Sequence, residues 1–209
     1  MLRYLTTQDL AALPRLSDSM FRDRARQFHA RRGWNLRIDG DGRERDQYDG
    51  LPGALYVVWE RPDGTHCGSM RFLPTTGRTM LAEHFAELTQ GRSIASRYIW
   101  ESTRFCLAPG AEPRIAPALM LGGLEIGLGH GLSHAVGVFD APMLRIYRRL
   151  GWPPAVLGTT GSGRGAISAG LWAFEKELRA PLLARAGLTP EIADHAYRRA
   201  FGAPQANAA

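Results

Sequence analysis

The chain has 209 residues with 26 basic and 20 acidic side chains, a formal net charge of +6, and arginine at every basic position except Lys176. A hydrophobic content of 44% is typical of a globular chain with a sizeable core, which excludes disorder for most of it. No run of about 18 uncharged apolar residues occurs, so we predict no membrane span.

The first ten residues lack the apolar core of a signal peptide, and two cysteines are too few for a disulfide scaffold. We therefore expect a cytoplasmic protein in which Cys67 and Cys106 are reduced, buried thiols and no metal is bound. The net positive charge leaves nucleic acid, anionic membrane surfaces and acidic proteins open as partners.

Hydrophobic periodicity and turn residues predict a single domain over residues 1–209, with a frayed tail at 203–209. In chain order the predicted elements are a helix 16–30, a polar loop or lid 35–50, strands 54–60 and 65–73, a helix 81–88, a strand 97–107, a helix 115–129, a strand 133–139, a helix 141–150, a Gly-rich loop 158–165, a strand 166–174 and a helix 189–201. This mixed order predicts an α/β sandwich without a simple βαβ repeat.

The first predicted helix carries a charge within its apolar stripe, because Leu16, Met20, Arg24 and Phe28 are spaced by four residues and share one face. An inward-facing guanidinium is costly unless carboxylates pair with it. Asp46 and Asp49 of the polar loop, on either side of Tyr48, are available partners. The alternative is an arginine that snorkels at the edge of the stripe.

The predicted strand at residues 97–107 places a second charge among apolar side chains. In a regular strand Ile99, Glu101, Thr103 and Phe105 face one side, and Arg104 faces the other. Only a β-bulge would bring Glu101 and Arg104 into one site, and we expect that bulge.

The sequence contains four ordered blocks, namely Arg24, Phe28 and Trp34 with three and five intervening residues, then residues 44–49 (ERDQYD), 69–76 (SMRFLPTT) and 100–105 (WESTRF). Together these blocks resemble the N-acyl-homoserine lactone synthases, the bacterial autoinducer synthases. The resemblance covers roughly residues 1–174 and is strongest before Leu107. It implies a fold similar to the Gcn5-type N-acetyltransferases, namely a three-layer α-β-α sandwich with a mixed central sheet.

The reaction that this resemblance implies joins S-adenosylmethionine to an acyl thioester, closes a lactone and releases methylthioadenosine. Both molecules are substrates, and no prosthetic group is implied. The residues that match the family motif are Glu101 as the catalytic residue and, as the substrate site, Arg24, Phe28, Trp34, Asp46, Asp49, Arg71, Arg104 and Phe105.

Each role has a structural alternative. Glu101 is a candidate general base acting through a water, or else one arm of an ion-pair network with Arg24, Arg71 and Arg104, and the two roles are compatible. Trp34 and Phe28 offer rings to a sulfonium, although Phe28 alone would also fit plain core packing.

Two features bear on the acyl donor, which is acyl carrier protein or acyl-CoA, and a third bears on the acyl chain. Arg114 and residues 118–123 only weakly resemble the phosphate loop of the acetyltransferases, which favours the carrier protein. Residues 145–149 supply three arginines on one helix, suited to an acidic carrier protein or simply to solvent. Gly137 lies where relatives selective for 3-oxo chains carry a hydroxyl residue, so we expect an unsubstituted acyl chain.

Two other functions remain as alternatives. An acetyl-CoA-dependent N-acetyltransferase of a small amine would share the fold, but it would require the missing phosphate-loop signature. Six arginines between Arg15 and Arg32 are compatible with nucleic-acid binding, although no nucleic-acid-binding motif accompanies them.

Overall fold

Seven strands form one mixed sheet in the computed structural model, which describes residues 1–31 and 36–202. The strands are β1 (Leu2–Thr6), β2 (Leu55–Glu60), β3 (His66–Pro74), β4 (Ile99–Leu107), β5 (His134–Asp140), β6 (Ala155–Thr160) and β7 (Ile167–Ala173). Their order across the sheet is β1-β2-β3-β4-β5-β7-β6. Only β4 and β5 run parallel, and the other neighbours are antiparallel.

Helices cover both faces of this sheet. They are α1 (Thr7–Ala11), α2 (Pro14–Arg24) continued by a π-helical segment (Ala25–Arg31), α3 (Met80–His84), α4 (Ile115–Gly129), α5 (Ala141–Leu150), α6 (Arg179–Ala186) and α7 (Pro190–Phe201), with short 3-10 turns at Ala86–Thr89, Gly163–Gly165 and Lys176–Leu178. None of the helices in the described part of the chain combines the length and the hydropathy that a bilayer crossing requires.

The core is divided by the sheet. On one face α4, apolar on nearly all sides, packs with α6 and α7 against β1, β2 and β3 in the larger apolar cluster. On the other face α2 covers Tyr56, Val58 and Leu73 in a second cluster, and α3 lies over a third. The predicted three-layer α-β-α sandwich with a mixed sheet is therefore confirmed.

Several predicted boundaries were wrong, and two strands and two helices were missed. β1 is a five-residue run interrupted by Arg3, and α1 begins at a Thr6–Asp9 capping box that periodicity does not detect. The predicted loop 158–165 contains the end of β6, an exposed edge strand with little apolar alternation. Gly158 suits this position because a Cβ there would lie 2.3 Å from the carbonyl oxygen of Leu88.

Other differences concern the ends of elements. The predicted helix 81–88 is divided into α3 and a 3-10 turn, and α6, which ends at a left-handed Gly187, was not predicted. The predicted frayed tail at 203–209 lies outside the described residues. Cys67 and Cys106 are buried and free, as expected.

The parallel pair at the centre of the sheet is short. The backbones of β4 and β5 pair only between Ile99, which lies opposite His134, and Glu101, which lies opposite Val136. Beyond that point each strand continues without the other, and the two cavities described below lie along this part of the sheet.

Candidate functional site

Three arginines and three carboxylates form a buried network between α2, the loop at residues 36–50 and the centre of the sheet. Arg24 ends α2, Arg71 lies in β3 and Arg104 lies in β4. Their partners are the loop carboxylates Glu44, Asp46 and Asp49. Three positive and three negative charges balance, which limits the cost of burying them.

Arg24 binds two of these carboxylates and is only 1% exposed. Its Nε lies 2.6 Å from Glu44 Oε2, while Nη1 and Nη2 donate to the two oxygens of Asp49 at 2.8 and 3.0 Å. Burial would lower the pKa of Arg24, but Asp49 and Glu44 raise it above its ordinary value. The snorkelling alternative is therefore wrong, because this arginine faces inward.

Arg71 joins Asp46, and Asp49 which it shares with Arg24, to β4. Nη1 donates to Asp46 Oδ1 at 2.6 Å and to Asp49 Oδ1 at 2.7 Å, and Nε donates to the Thr103 hydroxyl at 3.1 Å. Burial would raise the pKa of Asp49, but Arg24 and Arg71 outweigh it and hold the pKa well below the usual range. Asp49 also accepts a hydrogen bond from the Tyr56 hydroxyl at 2.8 Å.

Arg104 enters the network through the predicted β-bulge, which is confirmed. Ser69 and Arg71 are two residues apart in β3, whereas their partners Cys106 and Thr103 are three apart in β4. Arg104 occupies the extra position with a φ of 54°, in the left-handed region. Its Nη2 then lies 3.0 Å from Glu44 Oε1 and 2.9 Å from Asp46 Oδ2.

The same bulge moves Phe105 away from the position that strand alternation predicts. Phe105 packs against the large apolar cluster on the α4 side and lines a small cavity there with Met120. The prediction that it faces the same side as Glu101 was wrong, because the extra residue reverses the alternation of β4. Phe105 thus lies on the opposite face of the sheet from the arginine network.

Glu101 takes a different place from the one that an ion-pair network predicts. Its carboxylate is fully buried and accepts hydrogen bonds from the amides of Met80 at 3.0 Å and Leu81 at 2.6 Å. No salt bridge to it occurs among the described residues, so the alternative in which Glu101 forms ion pairs with the three arginines is wrong. Burial raises the pKa of Glu101, and the two amides oppose that shift.

Glu44 is the functional residue that the sequence reasoning did not select. It is 1% exposed and bridges Arg24 and Arg104. The available signal was its position two residues before Asp46, which is itself three residues before Asp49. Its neighbours Arg43 and Arg45 make the segment resemble a solvated surface loop, and this obscured the buried carboxylate.

A cavity of about 870 Å³ adjoins this network. Its wall combines Glu44, Asp46 and Arg104 with Val138 and Phe139 of β5. A smaller cavity of about 50 Å³ on the α4 side shares Arg104 and Val138 with it. The smaller cavity is also lined by Phe72, Ser102, Gly137, Tyr147, Trp152 and Trp172. Arg104 and Val138 therefore belong to the walls of both cavities, beside the point where β4 and β5 separate.

The remaining predicted residues have different outcomes. Phe28 lies in the π-helical segment, is 5% exposed, and its ring centre is 5.6 Å from the Arg104 guanidinium carbon. Trp34 lies outside the described residues. Arg114, at the start of α4, is exposed and paired with Glu112 at 2.7 Å.

Comparison with known proteins gives the family. The family model for autoinducer synthases matches residues 9–177, most of the chain. The chain belongs to the autoinducer synthase family. An acyl-homoserine-lactone synthase of Rhizobium etli is 40% identical in an alignment over 178 residues that covers 82% of this chain and 84% of that protein. The protein is thus an acyltransferase, as predicted.

Solved structures agree on the fold of the synthase. MesI, a CoA-dependent acyl-homoserine lactone synthase, superposes with a TM-score of 0.78 at 25% identity and covers 90% of this chain and 96% of its own. BjaI, solved with SAM and isopentyl-CoA, gives 0.79 at 23% identity and covers 90% of each chain. An acyl-CoA N-acyltransferase from Pseudomonas aeruginosa gives 0.57 at 14% identity and covers 83% of this chain and 99% of its own, which confirms the acetyltransferase-like sandwich.

Proposed function

We propose that the synthase makes an N-acyl-L-homoserine lactone from S-adenosylmethionine and an acyl thioester and releases methylthioadenosine. The observation that carries this proposal is the composition of one cavity wall. Carboxylates suited to a cationic substrate, Glu44 and Asp46, line the same cavity as Val138 and Phe139, beside the separation of β4 and β5. Two substrates entering from these two sides would meet there.

The sulfonium and ammonium groups of S-adenosylmethionine are cations, which favours the carboxylate side of the cavity. Asp46 is the most exposed of the three network carboxylates, with 14% of its side chain accessible. Arg71 and Arg104 hold its oxygens in place, so it presents a fixed negative charge to the cavity. In this proposal Phe28 and Trp34 provide aromatic surface for the sulfonium.

Acylation needs a neutral amine, because only the free electron pair of nitrogen attacks the thioester. The α-amino group of the substrate, with a pKa of ~8, is mostly protonated at neutral pH, so a base must first remove a proton. Glu101 accepts this proton through a water, and its raised pKa makes it a stronger base than an ordinary carboxylate. The amine nitrogen then bonds to the thioester carbonyl carbon and the carbon–sulfur bond breaks. The proton that the nitrogen loses in forming the amide passes to the departing sulfur, so that the free thiol leaves.

Lactone closure follows within the acylated intermediate. A carboxylate oxygen attacks the γ-carbon, and the bond from that carbon to the sulfonium breaks, leaving its electron pair on sulfur in methylthioadenosine. The step needs no further proton transfer, so the contribution of the protein is to hold the methionyl chain folded. The fixed geometry of the arginine–carboxylate network suits this role.

The donor that we propose is an acylated carrier protein. The alternative is acyl-CoA, which is favoured by the similarity to MesI and BjaI, two CoA-dependent synthases. Arg145, Arg148 and Arg149 of α5 are exposed, and no salt bridge to them occurs among the described residues. Ile146, 37% exposed, lies among them. An exposed basic helix with an apolar side chain suits an acidic protein, for which charge mainly speeds the encounter.

The acyl chain that we propose is unsubstituted at carbon 3. A Cβ on Gly137 would lie 2.7 Å from the carbonyl oxygen of Ser102, so a hydroxyl side chain would crowd the small cavity that Gly137 lines. Glycine leaves this cavity without a polar side chain at position 137.

The experiment compares carrier-protein and CoA thioesters of the same acyl group, in the wild type and in the double variant Arg148→Glu/Arg149→Glu. We expect lactone from the wild type, and in the variant a KM for the carrier-protein donor raised by about 10-fold or more, with the KM for acyl-CoA unchanged. The matched control is Arg198→Glu/Arg199→Glu, since these exposed arginines also follow a buried tyrosine in the last turn of a helix, on α7. Equal effects of the two variants, or none, would contradict the proposed docking.

A further inference from the structure

A surface carboxylate outside the arginine network connects the loop that carries Asp46 with helix α3, whose first amides bind Glu101. Glu83 of α3 accepts hydrogen bonds from the Tyr48 hydroxyl at 2.8 Å and from Arg78 at 2.6 and 2.9 Å. Gln47 adds a fourth bond at 3.2 Å. Arg78 and then Tyr48 lower the pKa of Glu83 to about 2, so the carboxylate is charged at any pH at which the protein works.

Tyr48 transmits this contact to the proposed substrate site. Two guanidinium groups lie over its ring, Arg71 at 5.5 Å and Arg78 at 5.7 Å from the ring centre. Its amide donates to Asp46 Oδ1 at 2.9 Å. Both Tyr48 and Asp46 line the large cavity, whereas Glu83 does not. The position of Glu83 therefore reaches the cavity wall through its hydrogen-bond donors Tyr48 and Gln47, and through Met80 and His84 of its own helix, which also line the cavity.

The other end of the connection is Glu101. The amides of Met80 and Leu81, which hold its carboxylate, begin the five-residue helix that carries Glu83. A helix of this length has no stability of its own and depends on tertiary contacts for its position. The bonds from Glu83 to the loop are such contacts, and they lie one turn from the two amides.

We propose that Glu83 is a positioning residue that fixes α3 to the loop at residues 46–49 and thereby sets the placement of Asp46 relative to Glu101. The inference rests on the proposed function, in which Asp46 faces the cationic substrate and Glu101 receives its proton. Glu83 contacts neither substrate. Its removal frees Tyr48 and the start of α3 together.

The test is steady-state kinetics of Glu83→Ala, with both substrates varied. We expect the KM for S-adenosylmethionine to rise by about 10-fold or more and kcat to fall, because hydrogen bonds to a charged group are lost on both sides. The KM for the acyl thioester should stay unchanged. Glu83→Gln keeps an acceptor for Tyr48 and should recover part of the loss. The melting temperature should change little, since the Arg78–Glu83 pair is accessible to solvent, with 55% and 28% of the two side chains exposed.

The control is Glu87→Ala, which removes an exposed carboxylate of the same charge from the next turn of the chain. It should behave as the wild type. If Glu83→Ala does not fold, Tyr48→Phe removes one bond of the same connection and keeps the ring, and it should raise the same KM. Unchanged kinetics in an active, folded variant would overturn this inference alone, whereas a wild type that makes no lactone would overturn the proposed function and the inference with it.

Discussion

Replacement of Arg24 tests whether the buried charge network holds the site together. Arg24→Met keeps most of the length of the side chain and removes the charge. It leaves Glu44 with Arg104 as its salt-bridge partner, and Asp49 with Arg71 and Tyr56. The variant thus buries two carboxylates that have each lost a charged partner.

The size of the effect follows from this partial loss. Removing one partner of a buried ion pair costs about 3–5 kcal/mol, and the remaining partners place Arg24→Met near the lower end, at about 3 kcal/mol. For a chain of this length each kcal/mol lowers the melting temperature by about 2–4 °C, so we expect a decrease of about 6–12 °C. Activity should fall at temperatures where the variant is still folded, because Asp49 no longer anchors the loop.

Thermal unfolding followed by circular dichroism or calorimetry measures this difference directly. The control is Arg22→Met, on the same helix, whose pair with Asp18 is about 40% exposed and contributes little to stability. A variant Arg24→Met that melts within about 2 °C of the wild type, or no lower than Arg22→Met, would refute the argument from buried charge.

Two further predictions concern the carboxylates. Glu101→Gln should lower kcat strongly with little change in the KM for S-adenosylmethionine. Because burial raises the pKa of Glu101, the rate of the wild type should rise with pH at values above the ordinary carboxyl range. The variant should lose this acidic limb of the pH profile. An unchanged kcat would assign Glu101 a purely structural role. The pKa of Asp49 is lowered in the folded state, so Asp49 contributes stability above about pH 4 that is lost as the pH falls further. Asp49→Asn should be less stable than the wild type at neutral pH. Urea titrations should show that its free energy of unfolding decreases less with falling pH than that of the wild type. Equal pH slopes for the two proteins would contradict this.

Much of the fold was predictable because its central elements carry strong local signals. The hairpin of β2 and β3, the apolar helix α4 and the capped helix α7 were all predicted near their observed positions. β1 and β6 were not, because they are short edge strands whose place depends on pairing with β2 and β7. Such pairing is a long-range property that local periodicity does not contain.

The candidate site divides in a similar way. An arginine within an apolar stripe indicates a buried partner, and this predicted the pairing of Arg24 with Asp49. The identity of the third carboxylate was not predictable, because Glu44 and Glu101 compete for the role and only the path of the loop decides between them. The predicted orientation of Phe105 was wrong, because a bulge reverses the face of the sheet to which every following side chain points. The bulge itself was expected.

The central claim is that the methionyl part of S-adenosylmethionine becomes the lactone. It is tested most directly by giving the purified wild-type protein S-adenosylmethionine labelled with ¹³C in the carboxyl, α, β and γ carbons of the methionyl part but not in the S-methyl group, together with acylated carrier protein or acyl-CoA, and analysing the products by mass spectrometry. The account predicts a labelled acyl-homoserine lactone and an equimolar amount of unlabelled methylthioadenosine. No labelled lactone with either donor and any acyl length, from a folded protein, would contradict it.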